Sequence, residues 1–150
     1  MRRLKLEELF VGAYVYTYPS EVGVVPMMVK GIYPDSSVLL DDGVKYTLDV
    51  IAGVRICGNV LRHMGFVKAR GEDVFLMMAR DVRLTVSLRQ RHGDVCCRRV
   101  AVTGRVTCWN EEIRYVHELQ RWWIDRVLLS IGIPLPLVYS TDVEPEKEDL

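Results

Sequence analysis

The fold of this chain turns on residues 113–131, IRYVHELQRWWIDRVLLSI. At ~100° per residue, Ile113, Val116, Trp123, Ile124, Val127, Leu128 and Ile131 share one face, the pattern of an amphipathic helix. Tyr115, Trp122 and Leu129 form a second stripe on roughly the opposite face. A helix that only covers a sheet has no use for that stripe, so the spacing predicts another neighbour there: either the Pro134–Tyr139 segment folded back or a partner. His117 and Gln120 fall inside the main apolar face. A buried polar group left without a hydrogen bond costs about 1–3 kcal/mol. Both are therefore expected to bond strand backbone and fix the helix register; the alternative is a polar pocket under the helix. Asn110 reads as the N-cap, with Glu111 and Glu112 near the positive end of the dipole. Gly132 followed by Pro134 is the stop signal.

Working back from the helix, Val82–Arg89 alternates cleanly. Val82, Leu84, Val86 and Leu88 point one way and Arg83, Thr85, Ser87 and Arg89 the other, as in a half-buried antiparallel strand. Val74–Ala79 is nearly all apolar and reads as a central strand. Val95–Val102 and Arg105–Trp109 follow as strands, separated by a turn at Thr103-Gly104, with an earlier turn at Gln90–Asp94. Gly58–Met64 reads as one or two helical turns ending at Gly65, with Val60, Leu61 and Met64 inward.

Toward the start the period becomes that of short strands. Residues 4–10 form a helical turn anchored by Leu4, Leu6, Leu9 and Phe10. Ala13–Tyr18 and Val24–Tyr33 read as strands, with Pro19-Ser20-Glu21 as a break and Gly31 as a bend. Val38–Leu40 and Val44–Thr47 flank Asp41-Asp42-Gly43, a hairpin signal. Strands at this spacing predict a small barrel or curled sheet over residues 10–56. The domain reading is 1–56 for that β unit, 57–138 for an α+β segment holding an antiparallel meander of three to four strands and the long helix, and 139–150 for an acidic, disordered tail.

The chain has 150 residues, 49% hydrophobic and 27% charged, the composition of a globular protein. Lys+Arg and Asp+Glu are both 20, so net charge does not argue for wholesale nucleic-acid binding. The distribution is uneven: residues 61–126 carry a net +5 and residues 127–150 a net −4. Met1–Phe10 contains no apolar segment of signal-peptide length. The longest apolar stretch, Val127–Tyr139, is shorter than the ~20 residues that span a bilayer. A cytoplasmic protein with reduced cysteines is expected, and no membrane association.

Chemistry-bearing motifs are scarce. Cys57, His63, His92, Cys96, Cys97, Cys108 and His117 are enough donors for zinc, but no Cys-x2-Cys pair exists, so no metal is expected. The chain lacks a nucleophile elbow, a phosphate-binding loop, an HExxH helix and a dinucleotide fingerprint. No catalytic residue and no cofactor are assigned, and the chain is read as a non-enzyme. Arginines crowd residues 80–105. If Arg83, Arg89 and Arg99 share a solvent face, they make a phosphate-tracking surface; otherwise the strands simply carry a solvated polar face.

Two stretches carry a resemblance. Leu6-Glu7-Glu8-Leu9-Phe10-Val11-Gly12-Ala13-Tyr14-Val15 resembles an opening of leucine, turn, glycine, small residue, tyrosine and valine. Tyr115-Val116-His117-Glu118-Leu119-Gln120 resembles a YVHELQ signature. With Leu61–Phe66 between them, the pair is similar to a family of small uncharacterised proteins from gut bacteria and their phages or mobile elements, over about residues 4–132. The resemblance implies an SH3-like barrel at the N-terminus, a small sheet and a final helix, and implies no activity. After the signature this chain departs from the pattern, with Arg121-Trp122-Trp123 and the proline-rich segment IPLPLV.

The expectation is thus an α+β protein: a small SH3-like β-barrel followed by an antiparallel β-meander packed against one long C-terminal helix. Its expected role is that of a non-enzymatic interaction module whose partner is an unknown protein or a second copy. Tyr115, Trp122, Arg126 and Leu129 are the predicted contact residues. The competing reading is nucleic-acid binding through Arg83, Arg89 and Arg99; an unidentified enzyme is third.

Overall fold

The computed structural model describes residues 4–17, 25–69, 73–89, 92–100 and 106–141; at residue 89, 92–100 and 106–111 it describes the backbone alone. The expected breaks at Pro19-Ser20-Glu21 and Thr103-Gly104, and the tail from residue 142, lie outside these residues. The chain is α+β, with two antiparallel sheets and a C-terminal helix.

The first sheet opens after a single 3-10 turn, Leu6–Glu8, that buries Leu4 and Leu9 at its ends. Its strands are β1 (Tyr14–Thr17), β2 (Met27–Ile32), β3 (Val38–Leu40), β4 (Lys45–Tyr46) and β5 (Ile51–Gly53), in the spatial order β4-β3-β2-β1-β5. Among the described residues the two edges, β4 and β5, do not pair, so the sheet is open. The register shifts between Val29 and Gly31, where the sequence predicts a bend. The Asp41–Gly43 turn forms as its residues predict. The Asp42 carboxylate accepts the Val44 N–H at 3.0 Å and the Tyr46 hydroxyl at 2.5 Å, while Gly43 takes φ +81°. A second 3-10 turn, Leu48–Val50, leads into β5. Ala13, Val15, Val29, Val38, Leu40 and Ile51 form a small core within this unit.

The second sheet is a five-strand meander, one strand more than the sequence predicts at most. It consists of β6 (Val67–Lys68), β7 (Val74–Ala79), β8 (Val82–Arg89), β9 (His92–Val100) and β10 (Val106–Ile113), paired in chain order. Phe75, Met77 and Ala79 of β7 and Val82, Leu84 and Val86 of β8 are buried on one face. Fully burying the larger of these side chains is worth roughly 1.5–3 kcal/mol each, which fixes the register of the alternating strands. Helix α1 (Gly58–His63) turns Val60, Leu61 and the following Met64 into the same core and ends at Gly65, with φ +99°.

The turn expected at Gln90–Asp94 is shorter, because β9 begins at His92 and pairs with β8 as far as Arg89. The helix prediction also needs correcting. Residues 113–131 are not a single helix. Strand β10 runs on to Ile113, because Asn110, Glu111, Glu112 and Ile113 pair with Cys96, Val95, Asp94 and Gly93 of β9. Asn110 is therefore no N-cap, and Glu111 and Glu112 are strand residues. Helix α2 (Val116–Trp123) begins after extended Tyr115, whose N–H, with that of Arg114, donates to the Glu118 carboxylate at 3.0 and 3.3 Å. A π turn follows, Ile124–Leu128, in which the Leu129 N–H reaches back five residues to the Ile124 carbonyl. A short α turn, Leu129–Ile131, ends at Gly132 in the left-handed region, the stop that the sequence predicts. The π turn admits one extra residue into the helical repeat, so each residue beyond it is rotated by ~100° from its straight-helix position.

The two β units meet along α2. An extended bridge joins Arg55 to Tyr115; the Ile56 N–H donates to the Arg114 carbonyl at 2.9 Å and the Val116 N–H to the Val54 carbonyl at 2.8 Å. Tyr14, Val54 and Ile56 belong to the larger core, with the second sheet, α1, α2, Ile133 and Leu137. From Ile133 the chain returns across the body as an extended strap without regular secondary structure. Among the described residues, no helix is long and apolar enough to cross a membrane.

Candidate interaction cleft beside the C-terminal helix

The YVHELQ stretch is where the fold is fastened. Tyr115 lays its ring on Gly53: a Cβ there would stand 2.7 Å from the Tyr115 ring. Leu119 is fully buried. The Gln120 amide donates to the Gly12 carbonyl at 2.8 Å and accepts the Tyr14 N–H at 2.9 Å. Gln120 therefore bonds strand backbone, as its place on the apolar face predicts. It also ties α2 to the start of the first sheet, more than 100 residues earlier. His117 is 2% exposed and stacks on Tyr115 with ring centroids 5.7 Å apart.

The opposed stripe of Tyr115, Trp122 and Leu129 does not exist as one surface. Tyr115 precedes the helix and is half-buried. Trp122, 6% exposed, belongs to the main core. Leu129 lies beyond the π turn and is 75% exposed. Of the four predicted contact residues, Trp122 and Arg126 come together and the other two stand apart from them. Both line an open cleft of about 420 Å³. Its walls come from the first 3-10 turn (Glu7, Glu8), the end of β10 (Glu112, Ile113), α2 (His117, Glu118, Arg121, Trp122) and the π turn (Asp125, Arg126). Residues 117, 121 and 125, and 118, 122 and 126, form two adjoining i, i+4 rows down one side of the helix.

Among the described residues, five carboxylates and two guanidinium groups line the cleft, an excess of acidic side chains. Several of these groups already serve the fold. Glu118 accepts the N–H groups at the start of α2, Glu8 accepts the Lys5 N–H at 2.8 Å, and the Arg121 guanidinium lies 4.8 Å from the Phe10 ring centroid. The Trp122 indole N–H is buried and finds no hydrogen-bond partner among the described residues. Its neighbour differs: Trp123, 1% exposed, donates its indole N–H to the Ile133 carbonyl at 2.7 Å. The acidic wall escaped sequence reasoning because it draws on segments more than 100 residues apart.

The register of the arginine strands does not put positions 83 and 99 on one face. The Cα partner of Arg83 is Arg98, and that of Arg99 is Val82. Directly opposed residues share a face of the sheet. Position 98 therefore lies on the side of exposed Arg83, and position 99 on the side of buried Val82. The side chains of Arg89 and Arg99 lie outside the described ones. Among the described residues, no three His, Cys, Asp or Glu side chains gather in an arrangement that could hold a metal ion. Cys57, at the start of α1, is exposed. Near it, burial pushes the Tyr16 phenol up to about 12, helped by the Cys57 thiol and the Tyr139 phenol; Tyr139 is raised in the same way.

No protein-family model matches this chain, and neither a curated protein nor a solved structure matches it.

Proposed function

We propose that this protein is a non-enzymatic interaction module, and that its partner is a protein presenting a basic segment to the cleft beside α2. The observation that carries this reading is the cleft itself, an acidic wall beside Trp122 and Arg126. A lysine or arginine side chain suits such a place through its charge. The polar groups most suited to chemistry serve structure instead: Glu118 caps the helix and Gln120 holds β1. We also read the N-terminal unit as SH3-like. The strand order β5-β1-β2-β3-β4 and the 3-10 turn leading into β5 support that, and fit the resemblance to small proteins of gut bacteria and their mobile elements.

Titration with an arginine-rich peptide tests the proposal. Binding should weaken with salt, disappear in the double variant Glu7→Lys with Asp125→Lys, and survive Arg83→Glu with Arg98→Glu. The second reading, nucleic-acid binding through the arginine strands, rests on exposed Arg83 opposite position 98. It predicts the reverse: salt-sensitive binding of DNA or RNA that the Arg83 and Arg98 substitutions remove.

A further inference from the structure

The strap from Ile133 to Ser140 is held by its main chain. Trp123 donates its indole N–H to the Ile133 carbonyl at 2.7 Å. The Tyr14 hydroxyl donates to the Leu137 carbonyl at 3.4 Å and accepts the Tyr139 N–H at 3.2 Å. The Ser140 N–H donates to the His63 carbonyl at 2.8 Å, and Tyr139 stacks on the His63 ring. Ile133 and Leu137 enter the main core, while Pro134, Pro136 and Val138 face outward. Within the strap, the Leu137 N–H bonds the Leu135 carbonyl at 2.9 Å.

We propose that this strap is an exchangeable arm, and that a second copy of the chain donates its own arm to the groove between β1 and α2, giving a dimer. Three features support exchange over simple release. First, Ile133 and Leu137 complete the core, so an arm that leaves without replacement opens that core to water; the segment certain to fit is the identical one on another copy. Second, Gly132 is a ready hinge: exposed, at φ +70°, with nothing within 4 Å of where a Cβ would stand. Pro134 and Pro136 then stiffen the arm and lower the entropy cost of holding it extended. Third, apolar surface is available for the contact that a swapped dimer creates near the hinge. Val11 and Leu128 line a groove of about 240 Å³ along the strap, and Leu129 and Val138 are exposed. The inference does not depend on the acidic cleft, which uses other residues.

Light scattering on the full-length chain across a wide range of concentration tests it, beside two hinge variants. Deleting Gly132 shortens the reach to the chain's own groove and should convert monomer to dimer. Inserting Gly-Ser-Gly after Gly132 should shift the balance toward monomer. Dimer formed by the deletion should be weakened by Tyr14→Phe, which removes the grip on Leu137 and Tyr139. A folded deletion variant that stays monomeric overturns the proposal, as does a dimer indifferent to Tyr14→Phe. Should the deletion fail to fold, the full chain must still form more dimer at high concentration than the lengthened chain. Equal dimer fractions in those two, or no dimer in either, overturn it.

Discussion

Trp122 and Trp123 are neighbours in sequence, both buried, and differently used. Trp123 closes the molecule: its ring lies in the core and its N–H fastens the strap at Ile133. Trp122 lines an open, acidic cleft, and its buried N–H finds no partner among the described residues. One side of α2 is thus sealed by the strap, and the other borders the cleft. Burial alone does not tell the two rings apart; the fate of the polar atom does.

The comparison can be broken at several depths. Trp123→Ala should cost about 3–5 kcal/mol in chemical denaturation, since it leaves a large cavity and frees the strap. Gln120→Leu comes next. It strands the Gly12 carbonyl and the Tyr14 N–H, at about 1–3 kcal/mol for each group that stays buried, and loosens the sealed side without touching the cleft. A milder pair is sharper: Trp123→Phe removes a hydrogen bond, whereas Trp122→Phe removes none within the described chain. Their melting temperatures should differ, with Trp123→Phe the lower; equal losses would erase the distinction. Further from α2, Arg80 takes φ +55° in the β7–β8 turn, so Arg80→Gly should gain about 1 kcal/mol by relieving left-handed strain.

The smallest effect is one of pH. The Tyr16 phenol titrates at about 12 in the folded chain against 10.0 as its ordinary value. The unfolded chain therefore loses this proton first. Its contribution to stability is whole below pH 10 and is lost as pH rises toward 12. Melts of the parent chain and Tyr16→Phe should diverge in that window.

Legibility followed the range of the deciding interaction. Strands β7 and β8, helix α1, the Asp42–Gly43 turn and the Gly31 bend were readable because alternation, apolar spacing and turn residues act locally. The start of α2 was not. The Asn110-Glu111-Glu112 cap signal lost to eight ladder pairs with β9, a contact that no window around residue 110 contains. The true cap was hidden too, because Glu118 reaches back to a tyrosine rather than to the usual serine or threonine. The π turn left no mark in the pattern, and it removed Leu129 from the stripe to which a straight helix assigns it. Trp122 and Arg126 line one cleft, although the stripe that suggested them is absent. The acidic wall opposite them could be assembled only in three dimensions.

The most direct test follows the indole N–H signals of Trp122 and Trp123 by nuclear magnetic resonance, assigned with the two phenylalanine variants, as an arginine-rich peptide is added. The Trp122 signal should move in a saturable, salt-sensitive way while that of Trp123 stays in place. A Trp123 signal that moves as far, or a Trp122 signal that never moves, would contradict the proposed binding at the cleft.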